Sequence, residues 1–160
     1  MMLNLGDLNM EGKTYKKIMI ATDGSEQVKK AIDAGIELAK LTGATLYAAY
    51  VIVPAGYTQK DFGWDRTLRE FLETEAKKAV TFVEEAGKAS GIRVEPIFLE
   101  GHPADRILDF AEQEGMDLIV MGTLGRTGID RFLLGSVAEK VVRHSKIPVM
   151  IVKGEAEKED

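Results

Sequence analysis

Leu118-Ile-Val-Met-Gly-Thr-Leu-Gly-Arg-Thr-Gly-Ile-Asp-Arg-Phe-Leu-Leu-Gly-Ser136 is the stretch on which the fold turns. Its first four residues are apolar without a break, as in a parallel strand covered on both faces. Beyond Gly135-Ser136, Val137, Val141 and Val142 take up a helical spacing. The glycines therefore lie between a strand end and a helix start. Unpaired backbone N–H groups and the positive end of the helix dipole favour an anion at such a point. The stretch reads as a phosphate-holding loop in an α/β protein.

The rest of the chain repeats the same alternation. Lys17-Ile-Met-Ile-Ala-Thr-Asp23 reads as the first strand, with Ser25 as N-cap of a helix that Gly43 stops. Ala31, Ala34, Ile36, Leu38 and Leu41 form the apolar stripe expected of that helix. Residues 44–53 form a second strand, closed by Pro54. An irregular segment rich in aromatic residues follows, with Tyr57, Phe62 and Trp64. A long helix is expected over 66–89, with Leu68, Phe71, Leu72, Ala76, Ala79, Val80 and Val83 on its apolar side. Residues 92–99 are a third strand, and Pro96, which has no N–H for a ladder, assigns it to a sheet edge. Pro103 opens a helix whose buried face is Ile107, Leu108, Phe110 and Ala111. The last strand is Ile147-Pro-Val-Met-Ile-Val152.

Strict alternation implies a parallel sheet with helices on both faces, and right-handed crossovers limit its topology. With strand three at an edge, the order 3-2-1-4-5 follows. Its direction reverses between strands one and four, where such sheets bind ligands. Asp23 and Gly122 end those two strands, so they converge on one crevice.

Composition narrows the function. The chain has 160 residues, enough for a single domain with its own core. That domain is expected over residues 16–153, between a loose extension at 1–15 and an acidic tail at 154–160. A net charge of −5 opposes nucleic-acid binding through a broad basic face. No apolar run is long enough to cross a membrane. Cysteine is absent, which excludes disulfides, zinc–thiolate sites and thiol nucleophiles and fits a cytoplasmic protein. The apolar last strand, Pro148-Val-Met-Ile-Val152, is expected at an open edge that a symmetry mate would cover in a homodimer.

Neither the P-loop pattern, the dinucleotide Gly-x-Gly-x-x-Gly pattern nor a Gly-x-Ser-x-Gly elbow occurs at the loop. What remains is Gly122-x-x-Gly125, nine residues, then Gly135-Ser136. Together with Ala21-Thr-Asp-Gly-Ser25 and Gly135-Ser-Val-Ala-Glu-Lys-Val-Val-Arg-His144, this resembles the ATP-binding branch of the universal stress protein family. The resemblance covers roughly residues 17–153. It implies a three-layer α/β/α sandwich of the adenine-nucleotide alpha hydrolase-like kind, and a regulatory or stress-response protein that holds ATP, ADP or AMP.

The resemblance also implies residue roles. Asp23 would lie near the ribose or a phosphate-bound Mg²⁺, since a carboxylate beside phosphates needs a hydroxyl or a cation between them. Ala21 and Thr22 would flank the adenine or sugar, and Val51 would offer backbone groups to the adenine edge. Gly122 and Gly125 would admit phosphate oxygens close to the backbone. Gly135, Ser136 and Val137 would donate N–H groups, and Met121 and Arg126 complete the set. Leu124 departs from the family, which often has His there.

Each feature has a plainer reading. Asp23 and Ser25 are favoured helix caps, Arg126 and Arg131 are ordinary solvated charges, and Phe132-Leu-Leu134 packs the loop down. His102 and His144 fall at helix ends without metal-ligand company. Two other functions compete with nucleotide holding. One is an adenine-nucleotide enzyme (a slow ATPase or nucleotidyl transferase), although the His-x-Gly-His and Ser-Gly-Gly-x-Asp-Ser signatures are absent near strand one. The other is an interaction module in which the glycine loop is purely structural.

Overall fold

A computed structural model describes residues 15–54, 65–123 and 134–154. Five parallel strands form one sheet: β1 (Lys17–Ala21), β2 (Thr45–Ile52), β3 (Val94–Glu100), β4 (Leu118–Gly122) and β5 (Val149–Val152). The helices are α1 (Lys29–Thr42), α2 (Asp65–Ala89), α3 (Pro103–Gln113) and α4 (Ser136–His144). The strand order is β3-β2-β1-β4-β5, as the alternation and Pro96 require. Pro96 lies opposite Ala48, on a strand whose one partner in the sheet is β2.

Successive strand residues point to opposite faces, and here both faces are dry. Ile18 and Ile20 of β1, with Leu118 and Val120 of β4, enter a core layer shared with α1 and α2. Met19, Ile119 and Met121 enter the other layer, against α3 and α4. The unbroken apolar runs of the sequence are therefore two interleaved half-faces. Gly35 brings α1 close to β1: a methyl group there would stand 2.5 Å from Ile20 Cδ1.

Several local expectations change. Thr22 and Asp23 lie beyond β1, which ends at Ala21. Ser25 precedes a 3₁₀ turn, Glu26–Val28, and its hydroxyl makes no capping bond. The Val28 N–H reaches the Ser25 carbonyl instead, at 3.4 Å, while Asp23 Oδ1 accepts the Ser25 N–H at 2.9 Å in an Asx-type turn. The core stripe at α1 is Val28, Ala31, Ile32, Gly35, Ile36 and Ala39, so the helix is rotated from the expected phase and Leu41 is 81% exposed. Phe71 and Val142 likewise face outward, while Ala138 and Val141 hold α4 to the sheet. Gly43 does stop α1, at φ +73° with its N–H on the Ala39 carbonyl.

Tyr15 packs against the core, and His102 and His144 flank α3 and end α4 as expected. Residues 1–14, the aromatic segment 55–64 and the tail from 155 onward lie outside the described residues. Among the described residues, no helix is long and apolar enough to cross a membrane.

Candidate functional site

The site is built where β1 and β4 adjoin. The Thr22 N–H donates to the Ala49 carbonyl at 2.9 Å, which carries the chain one step past β1 along β2. Thr22 is 6% exposed, and its Oγ1 accepts the Gly24 N–H at 3.1 Å. With the Asp23–Ser25 bond next to it, the turn is held by two side chains of its own. Gly24, at φ +75°, supplies the left-handed residue that this turn needs.

Across the crevice, the Gly135 N–H donates to the Thr123 carbonyl at 2.7 Å, pinning together the two ends of the glycine loop. Thr123 in turn donates its N–H to Val152 at the end of β5, at 3.2 Å. Helix α4 begins at once: Gly135 is its N-cap, and Glu139 N–H reaches the Gly135 carbonyl at 2.9 Å. The N–H groups of Ser136, Val137 and Ala138 belong to the first turn of α4, whose donors have no acceptor within the helix itself. They lie at the positive end of the helix dipole.

Between these two turns is a cavity of about 420 Å³. Ala21, Thr22, Asp23, Val51, Met121, Gly122, Gly135, Ser136 and Val137 all line it, so the structure brings these candidates together. Gly125, Arg126, Leu124 and Arg131 lie outside the described residues, as do Phe132 and Leu133. Leu134 is 41% exposed rather than packed down.

Sequence reasoning overlooked the apolar walls. Val28, Ile52 and Leu72 line the cavity on one side, and Pro103 and Ile107 on the other. Only position carries a signal for them: Pro103 starts α3 at the same end of the sheet as Gly122. Among the described lining residues Asp23 is the one acidic side chain, and none is lysine or arginine. No group of three His, Cys, Asp or Glu fit for a metal occurs among the described residues. A flat apolar base, an anion at the α4 start and a hydroxyl or cation at Asp23 are the chemistry this arrangement accepts.

Residues 14–153 match the model of the universal stress protein family. The chain belongs to the universal stress protein family. It is 40% identical over 141 residues to universal stress protein MJ0531 of Methanocaldococcus jannaschii, covering 87% of this chain and 82% of that one. Among solved structures, MJ0577 aligns with a TM-score of 0.79 at 31% identity, over 90% of this chain and 99% of the other. A universal stress protein of Archaeoglobus fulgidus in complex with dAMP aligns at a TM-score of 0.67 and 27% identity, over 88% and 99%. The crystal structure of a universal stress protein in complex with cAMP aligns at a TM-score of 0.68 and 26% identity, over 89% and 99%. In this universal stress protein the family segments at 21–25 and 135–144 are thus the two turns that face each other over the cavity.

Proposed function

We propose that this universal stress protein binds an adenine nucleotide, ATP foremost, in the cleft between β1 and β4, and holds it with little or slow hydrolysis. The observation that carries the reading is the union of two unlike surfaces in one cavity. Apolar walls from β2, α2 and α3 suit a base. The N–H groups of Ser136 and Val137 suit phosphates. The dAMP and cAMP complexes of related proteins support the same class of ligand.

Asp23 is the one carboxylate among the described lining residues, which fits a Mg²⁺ carried by the phosphates, and the described residues hold no group of three such ligands for an ion bound by the protein alone. Such an ion would neutralise phosphate charge near Asp23 and orient a water there. The described lining offers no histidine or lysine to act as acid or base, which favours storage over nucleotidyl transfer.

Protein purified without added nucleotide should release an adenine nucleotide on denaturation, identified by mass spectrometry. Ligand-free protein should gain about 2.7 kcal/mol at a hundredfold excess over Kd, a rise in Tm of roughly 5–10 °C for this size. Equal melting with and without millimolar Mg-ATP would overturn the reading.

A homodimer through β5 belongs to the same proposal. Its four residues are each only partly buried within one chain, on a strand that has β4 alone as a partner.

A further inference from the structure

Helices α3 and α4 pack side by side, and the amino ends of both border the cleft, through Pro103 and through Ser136. One ion pair joins them there: Lys140 Nζ lies 2.8 Å from Asp105 Oδ1. Lys140 is one turn beyond Ser136 on the same side of α4, and helical side chains lean toward the N-terminus. Its ammonium therefore belongs to the turn whose N–H groups open on the cleft. Asp105 stands two residues after Pro103, in the first turn of the neighbouring helix α3.

Burial locks neither partner, because their side chains are 47% and 48% exposed. The hydrogen bond from Lys140 holds the Asp105 carboxyl below its ordinary range, helped by the charges of Lys140, His102 and Arg106 and opposed by desolvation. An exposed pair of this kind is a weak association. A phosphate chain bound at the start of α4 would carry more charge than a carboxylate and be the stronger attractor for a flexible ammonium. The described cleft lining has no cation of its own to meet it.

We propose that Lys140 exchanges between two anions, the Asp105 carboxylate in the empty protein and the outer phosphates of the bound nucleotide. The exchange makes Lys140 a specificity residue for the number of phosphates and Asp105 its competitor. It rests on the nucleotide site proposed above.

Calorimetric titration of ATP and AMP into the wild type, Lys140→Met, Asp105→Asn and the double variant tests it, with melting curves for each. Lys140→Met should weaken ATP about tenfold, as for loss of one charged hydrogen bond, and leave AMP within about twofold. Asp105→Asn should tighten ATP about two- to fivefold, the scale of an exposed ion pair. That gain should vanish in the Lys140→Met background. Lys140→Arg should retain the preference for ATP. If the pair is only a structural tie, both single variants weaken ATP and AMP alike and lower Tm, which overturns the exchange. An Asp105→Asn affinity for ATP no tighter than wild type also overturns it. A wild type that binds neither nucleotide overturns the site itself, and the exchange with it.

Discussion

At Asp23 the carboxylate already accepts the Ser25 N–H at 2.9 Å, so asparagine there keeps an acceptor for that bond while the charge is lost. Asp23→Asn should melt within about 2 °C of wild type, as a polar substitution that keeps the acceptor of the turn. Its ATP affinity in Mg²⁺ should fall about tenfold, the scale of one charge-assisted contact, and its dependence on Mg²⁺ should weaken. Asp23→Ala should lose the turn as well as the charge and melt lower. Calorimetry with and without Mg²⁺ separates the two jobs. An Asn variant that binds Mg-ATP as tightly as wild type would remove Asp23 from the site. This residue was legible because its position, at the end of a recognisable strand, was legible. Leu72 and Ile107 were not, for an apolar residue on a helix carries the same local pattern whether it meets the core or a base. Ser25 misled for a different reason: the Val28 N–H that its hydroxyl would cap bonds to the Ser25 backbone carbonyl as the chain enters a 3₁₀ turn.

Two contacts decide how firmly the elements hold the crevice. Asp117 Oδ2, just ahead of β4, accepts the N–H groups of Lys16 and Lys17 at 2.9 Å each, tying the start of β1 to the strand beside it. Asp117→Ala should cost about 1–3 kcal/mol, because two strand-end donors lose one acceptor. A shift in the urea midpoint at constant slope would measure it. Gly35 poses a contest of signs. Alanine gains about 1 kcal/mol of helix propensity. Its methyl group, however, meets Ile20 Cδ1 at 2.5 Å and Cγ1 at 2.8 Å, and Ile20 is wholly buried. Overpacking costs about 1–3 kcal/mol, so Gly35→Ala should destabilise; a stabilised variant would mean that α1 can lift from the sheet. Strand existence was readable throughout, because apolar runs such as Leu118-Ile-Val-Met121 have few other uses. Helix rotation was harder to read. Leu41 and Val142 fit the apolar count of α1 and α4, but the contacts that set the phase come from Val28, Ile32 and Ala39, and from Ala138 and Val141. Two of these, Ala39 and Ala138, are small residues that allow close approach and contribute little to an apolar count.

For the molecule as a whole, topology followed from one proline and one rule of handedness, since Pro96 assigned β3 to an edge and left β5 at the other. That second edge is apolar: Val149, Met150, Ile151 and Val152 are each partly buried in one chain, and Val142 on the adjoining α4 is 45% exposed. An open apolar edge invites strand pairing, and the proposed two-fold pairing of β5 with its mate would cover it. Val142 gives a test that spares the fold. Because it faces away from the core, Val142→Asp should change the stability of a single chain by no more than about 0.5 kcal/mol. In a dimer seated on this edge it would place two unpaired charges in an apolar contact. Wild-type protein should therefore sediment as a dimer at micromolar concentration, and Val142→Asp as a folded monomer with unchanged circular dichroism. The proposed nucleotide cleft opens between β1 and β4, one strand inward from β5, so the monomeric variant should still bind ATP. If it remains a dimer, the chains associate through another face; if the wild type is a monomer, the β5 edge is left open to water.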